Sequence, residues 1–202
     1  MNTKFTGRGR YTFPNNAEYT GDFKEDVPEG IGQLELPNGD SYEGNWEAGE
    51  MSGFGIYRFY NEKLDRFKGM YEGQFSHSKF NGLGKMTYPN STIYYGNWRD
   101  GKKDGLGEFI DINGETIMGR WENDILVEGI CIFADGSKYV GSFQDSKFNG
   151  FGSLIQPNGS VQQGFWKDNI LVKGFSFDAN ETVNNILNNQ IIVIENENRE
   201  SN

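Results

Sequence analysis

Glycine pairs of the form G-x-G punctuate the chain at Gly30/Gly32, Gly53/Gly55, Gly82/Gly84, Gly105/Gly107 and Gly150/Gly152. Pairs of this kind open the loops that cradle a dinucleotide pyrophosphate, where a bare backbone lets N–H groups approach the anion. That chemistry also needs a third glycine, a buried strand before it and a helix after it. "GIGQLE", "GFGIYR", "GLGKMT" and "GLGEFI" all lack the third glycine. The segment "GNWRDGKK", Gly96 to Lys103, is nearer to the phosphate loop G-x-x-x-x-G-K-[ST], but Lys103 stands where the magnesium-binding hydroxyl belongs. No nucleotide or other cofactor is expected.

The other chemistry-bearing residues are sparse or too regular. His77 is the single histidine and Cys131 the single cysteine, so a nucleophile–base pair or a metal site would need both, and they are two repeat units apart. Glu47, Glu50, Asp100, Asp104, Asp124 and Asp145 recur at matching places, chiefly around turns. Acid–base catalysis needs two carboxyls in unlike environments, whereas repetition supplies like ones. These acids therefore read as a solvated rim. No catalytic residue and no metal ligand is expected, and the chain does not read as an enzyme.

The glycines take their meaning from a repeat. The pattern Y-x-G-x-[W/F] occurs at Tyr19, Tyr42, Tyr71, Tyr94 and Tyr139, with degenerate copies at Ile117 and Gln162. Successive starts are 23, 29, 23, 23, 22 and 23 residues apart. Each G-x-G pair follows eleven residues behind its lead tyrosine, and a half-unit "GRGRYTFPNN" opens the chain. Tyr42, Gly44 and Trp46 share parity, so they lie on one face of a strand; Gly53, Gly55, Tyr57 and Phe59 do the same on the next. The glycines leave room for rings lying across the sheet. Asn38-Gly39, Asn113-Gly114, Asp135-Gly136 and Asn158-Gly159 are expected to form two-residue hairpin turns. Each unit is then one hairpin, and the units join into a continuous antiparallel meander. The 29-residue interval predicts a lengthened hairpin, "YRFYNEKLDRFKGMY". "WENDILVEGICIF" and "WKDNILVKGFSF" keep one glycine, Gly129 or Gly174, in place of the pair.

This pattern resembles the MORN (membrane occupation and recognition nexus) repeat, Y-x-G-x-W-x-x-G-x-x-x-G-x-G-x-x-x-[FY], best in the units at Tyr42 and Tyr94. The resemblance covers about residues 5–177. It implies an all-β fold: an elongated, twisted, single-layer antiparallel meander with an aromatic-lined groove. It also implies a cytoskeletal or ciliary setting, such as an axonemal assembly, for arrays that stand alone. The family's name records a proposed lipid role, so a peripheral membrane module is the alternative. Related arrays also precede lipid-kinase or methyltransferase domains, which here would have to be supplied in trans.

The rows Tyr19, Phe23, Tyr42, Trp46, Tyr71, Phe75, Tyr94, Trp98, Trp121, Tyr139, Phe143 and Trp166 are the core that such a sheet has. A sheet of one layer leaves part of its aromatic face uncovered, so the same residues are the expected partner-binding groove. A helix or extended peptide is its expected ligand. With a formal charge of −10, the chain repels nucleic acid and anionic headgroups, which favours an amphipathic or basic protein segment over nucleic acid or membrane. A homodimer through the open sheet edges is a further expectation.

The repeat pattern ends near residue 177, and residues 178–202 are acidic and rich in Asn. Val183, Ile186, Leu187, Ile191 and Ile194 are spaced for a helix that caps the array or binds a partner; Gln190–Glu195 alternatively reads as a strand, and the last seven residues as disordered. A lone cysteine, no apolar leader and no long apolar run predict a cytoplasmic protein. Asn90, Asn158 and Asn180 match the glycosylation pattern by chance in that setting.

Overall fold

A computed structural model describes residues 3–61 and 66–179. Among the described residues fifteen strands form one antiparallel sheet and follow one another in chain order. They are β1 (Gly7–Thr12), β2 (Glu18–Lys24), β3 (Val27–Glu35), β4 (Ser41–Glu47), β5 (Glu50–Asn61), β6 (Arg66–Ser76), β7 (Lys79–Thr87) and β8 (Ile93–Arg99), then β9 (Lys102–Ile110), β10 (Thr116–Glu122), β11 (Ile125–Ile132), β12 (Lys138–Gln144), β13 (Lys147–Ile155), β14 (Val161–Lys167) and β15 (Ile170–Phe177). The chain divides into two compact units, Met1–Ile112 with Arg120–Ile125, and Asn113–Gly119 with Leu126–Asn202.

In the first unit the register follows the glycines. Gly32 pairs with Gly44, Gly44 with Gly55, Gly55 with Gly73, Gly73 with Gly84 and Gly84 with Gly96. A row of glycines thus crosses the strands, and the tyrosine two residues before Gly44, Gly73 or Gly96 lays its ring over it. The expected lengthening of the third unit is present: β5 and β6 have twelve and eleven residues and pair out to Asn61 and Arg66. In the second unit Gly141 pairs with Gly152, Gly152 with Gly164 and Gly164 with Gly174.

The two glycines of a G-x-G pair have different tasks. Between β4 and β5 the register shifts at Gly44/Asn45, and Gly53 takes φ 59°. Such a bulge inserts one extra residue and favours glycine at a left-handed position. The second glycine, Gly55, has ordinary φ and is there for clearance alone.

The turn assignment made from the sequence is corrected. The two-residue turns lie elsewhere, for example at Ala48-Gly49 (φ 50° and 84°) and His77-Ser78 (φ 49° and 59°), with Glu47 pairing Glu50 and Ser76 pairing Lys79. The Asn-Gly sites instead form three-residue turns: Gly39 N–H donates to Leu36 O at 2.9 Å and Leu36 N–H to Asp40 O at 2.8 Å, with only Gly39 left-handed. Asn38 takes the last right-handed place because its carboxamide oxygen accepts from Asp40 N–H at 3.1 Å. Propensity favours Asn-Gly in the tighter turn, but the tertiary hydrogen bonds of the other turns decide the matter. Gly49 N–H donates to Pro28 O at 2.9 Å and Ser78 N–H to Met51 O at 3.0 Å, so each tight turn is tied to the preceding repeat. The expected cap or strand within residues 180–202 lies outside the described residues.

Candidate functional site

All twelve rings expected to line a groove are buried, nine of them in the first unit and Tyr139, Phe143 and Trp166 in the second. Tyr71 shows the unit geometry. Its ring lies over the Cα atoms of Gly73 and Gly84, and its hydroxyl donates to Gln74 O at 2.9 Å. Tyr19, Tyr42, Tyr94 and Tyr139 repeat this bond to the carbonyl three residues on, at 2.8–3.1 Å. Trp46 and Trp98 lie edge-on to Tyr19 (4.9 Å) and Tyr71 (5.4 Å) of the preceding repeats. Their indole N–H groups donate to Gly32 O and Gly84 O, each at 3.2 Å. Phe80 stacks flat on Tyr71 at 3.9 Å, and Phe148 on Tyr139 at 3.7 Å. Rings packed edge to face, with the lead tyrosine hydroxyls and the Trp46, Trp98 and Trp166 indoles bonded and only Trp121 Nε1 buried without a partner among the described side chains, make a closed interior from a single layer.

Burial disfavours the charged form of a phenol. Desolvation, with the nearby Asp22 carboxylate, pushes Tyr19 up to about 12. Tyr57 also rises to about 12, through burial first and then the charge of Asp40, whose carboxylate accepts its hydroxyl at 3.1 Å. Burial likewise raises Tyr42, Tyr71, Tyr94 and Tyr139.

Lys103, the residue that spoils the phosphate-loop pattern, occupies the place that Phe80 and Phe148 take in their repeats. Its Nζ lies 4.3 Å from the Trp121 ring centre and 5.5 Å from that of Tyr94. Burial lowers its pKa, against the raising effect of Asp124. A lysine whose folded pKa is lowered costs stability below that pKa, and the cost fades as pH rises toward the ordinary lysine range. Lys103→Phe should therefore restore the stack seen on Tyr71. We expect a stability gain of about 1 kcal/mol at pH 7, the stack and relieved desolvation outweighing the lost cation–π contact. Urea unfolding of both proteins at pH 7 measures it; a loss would show that the cation–π contact dominates.

Gly96 lies on the Tyr94 ring and Gly101 in a turn at φ 82°, so neither glycine belongs to a phosphate loop. His77 sits in an exposed turn, with its Nδ1 2.9 Å from Ser76 Oγ, and Cys131 is buried in β11. Asp124 is more than rim: it accepts from Lys103 N–H at 2.9 Å and ties its turn to the repeat before. Among the described residues no three His, Cys, Asp or Glu side chains gather as a metal site.

Apolar area open to solvent lies on the other face. The middle residue of each G-x-G pair points away from the rings: Ile31, Phe54, Leu83 and Leu106 in the first unit and Phe151 in the second. Phe54 is 65% and Leu106 68% exposed. Sequence reasoning passed over them, although the signal was there: the residue between the paired glycines is Ile, Phe, Leu, Leu and Phe in turn. Ile31 pairs with Asn45, Phe54 with Gln74 and Leu83 with Asn97, so apolar side chains on odd strands alternate with carboxamides on even ones. This row bounds a trough of about 770 Å3 across β3–β8, entirely within the first unit. The backbone of Gly44, Gly55, Gly73 and Gly84 forms its floor, and Glu43, Ile56, Glu72 and Tyr95 its opposite wall.

Comparison with known proteins agrees with this architecture. The MORN repeat family model matches residues 1–18, 19–41, 42–62, 71–93, 94–116, 118–138 and 139–161. The gap between 62 and 71 falls on the lengthened hairpin; the opening half-unit is matched, and the degenerate unit at Gln162 is not. The chain is similar to human Alsin, 31% identical over 128 residues, which is 59% of this chain and 8% of that protein. It is also similar to Xenopus laevis MORN repeat-containing protein 3, 33% identical over 75 residues, 37% of this chain and 32% of that one. The chain thus matches well under half of the length of either relative. Among solved structures it is similar to the TCP domain of Drosophila melanogaster SAS-4 in complex with a proline-rich motif of Ana2, with TM-score 0.45 and 15% identity, covering 85% of this chain and 88% of that one. For the TCP10 domain of Danio rerio CPAP the TM-score is 0.32 and the identity 15%, over 78% and 83% of the two chains. Seven matched repeats, with a tyrosine laid over paired glycines wherever the motif is complete, make this chain a member of the MORN repeat family.

Proposed function

We propose that this chain is a non-catalytic protein-interaction scaffold that presents its glycine-backed face to a segment of a partner protein. The observation that carries this reading is the row of exposed Ile31, Phe54, Leu83 and Leu106 side chains, one per repeat. Exposed apolar patches with polar rims mark binding surfaces. The buried rings supply the rigidity that such a surface needs, so they act behind the site and not as its lining. Family analogy supports a cytoplasmic setting within a cytoskeletal or ciliary assembly.

Proximity labelling with the full chain in its native cell tests the reading. Phe54→Asp with Leu83→Asp should remove a defined set of labelled proteins while the sheet stays folded, because both side chains face solvent. Identical labelling by the folded double variant and the wild type would sink it.

A further inference from the structure

Resting on the scaffold reading, we infer that the trough across β3–β8 takes a segment in the polyproline II conformation that also carries basic residues. Its apolar side chains recur once per hairpin, which is two strand spacings or ~9.6 Å. A polyproline II helix repeats its side-chain directions every three residues, a rise of ~9.3 Å. From Ile31 through the trough to Leu106, which continues the row one strand beyond it on β9, there are three such steps, ~29 Å, against ~28 Å for nine residues of polyproline II. An α-helix brings one face round every seven residues, ~10.5 Å, and falls out of register by ~3 Å over the same distance. In a β-strand, residues three apart point to opposite sides.

The size of the trough agrees. It crosses six strands, ~24 Å, so its volume of about 770 Å3 offers ~100 Å3 for each 3.1 Å step of a polyproline II chain. A sheet face offers no row of backbone donors, which disfavours an extended β-strand, whereas polyproline II needs none because its backbone groups stay solvated. Both charged residues that line the trough, Glu43 and Glu72, are acids. Glu43 already lies 3.7 Å from Arg58 Nη1, so it is Glu72, in a chain of net charge −10, that favours lysine or arginine in the occupant.

Selection of random twelve-residue peptides displayed on phage, against the full-length chain, tests the inference. Enriched peptides should carry proline at three-residue spacing together with Lys or Arg. Their Kd should rise at least tenfold on Phe54→Asp with Leu83→Asp, with the circular dichroism of the variant unchanged. Enriched peptides of amphipathic helical pattern that need the same two residues would overturn the inference and leave the scaffold reading standing. No enrichment dependent on these residues would overturn it too, as would a self-associating chain dispersed by the double variant in sedimentation, which would make a second copy the occupant. The scaffold reading fails separately, on the proximity-labelling result.

Discussion

Gly84→Ala is expected to lower the stability of this protein by on the order of 3–5 kcal/mol, and Gly101→Ala by about 1 kcal/mol. The two substitutions are chemically identical and probe different causes. A Cβ on Gly84 would fall inside the Tyr71 ring, at its hydroxyl end. The ring would have to leave, giving up its stack on Phe80, its edge contact with Trp98 and its bond to Gln74 O. Because Trp98 also bonds Gly84 O, the damage would pass to the next repeat. A Cβ on Gly101 meets nothing within 4 Å, and only the left-handed backbone at φ 82° resists it. Guanidinium unfolding of both variants measures the difference. Equal costs would refute ring clearance as the reason for the paired glycines.

Alkaline pH should unfold the protein within a narrow window. A phenol whose folded pKa is raised contributes stability that is complete below the unfolded value near 10. That stability is lost as pH climbs from there through the folded value. Tyr19 and Tyr57, raised to about 12, set the window at pH 10 to 12. Tyr42, Tyr71, Tyr94 and Tyr139 are raised too, so several groups draw on the same window together. The melting temperature should fall by about 10 °C or more between pH 9 and pH 11. Ultraviolet absorbance at the tyrosinate band, followed with circular dichroism, should show ionisation and unfolding as one event. Tyrosinate appearing well before the fold is lost would mean that water reaches the hydroxyls and the interior is open.

Much of the candidate surface could have been read from the chain, and the reason it was not is instructive. The alternation rule places Tyr42, Gly44 and Trp46 on one face and Glu43 and Asn45 on the other with certainty. It does not say which face is closed. Aromatic rows look like binding surface in a one-layer sheet, since no second layer is available to cover them. Here the rings cover one another: each tyrosine fills the gap above a glycine pair, and the tryptophan or phenylalanine of the next repeat closes its flank. Self-covering of this kind depends on contacts between residues 27 to 33 positions apart, which parity cannot supply. The G-x-G middle residues are then left as the open apolar row.

The sequence by itself determined the period, the strands, the glycine register and the identity of the ring core, because those follow from side-chain alternation and from where a Cβ is missing. The lengthened hairpin was legible for the same reason, as six residues beyond the period with alternation continued from Phe67 to Phe75. Only the tertiary structure decided which turns are tight, what Lys103 rests upon and which face meets solvent. Ala48-Gly49 and His77-Ser78 accept left-handed backbone because bonds to the preceding repeat hold them there, a term absent from local propensity. The same holds for the surface: exposure is a property of neighbours brought together by folding, and no single strand carries it.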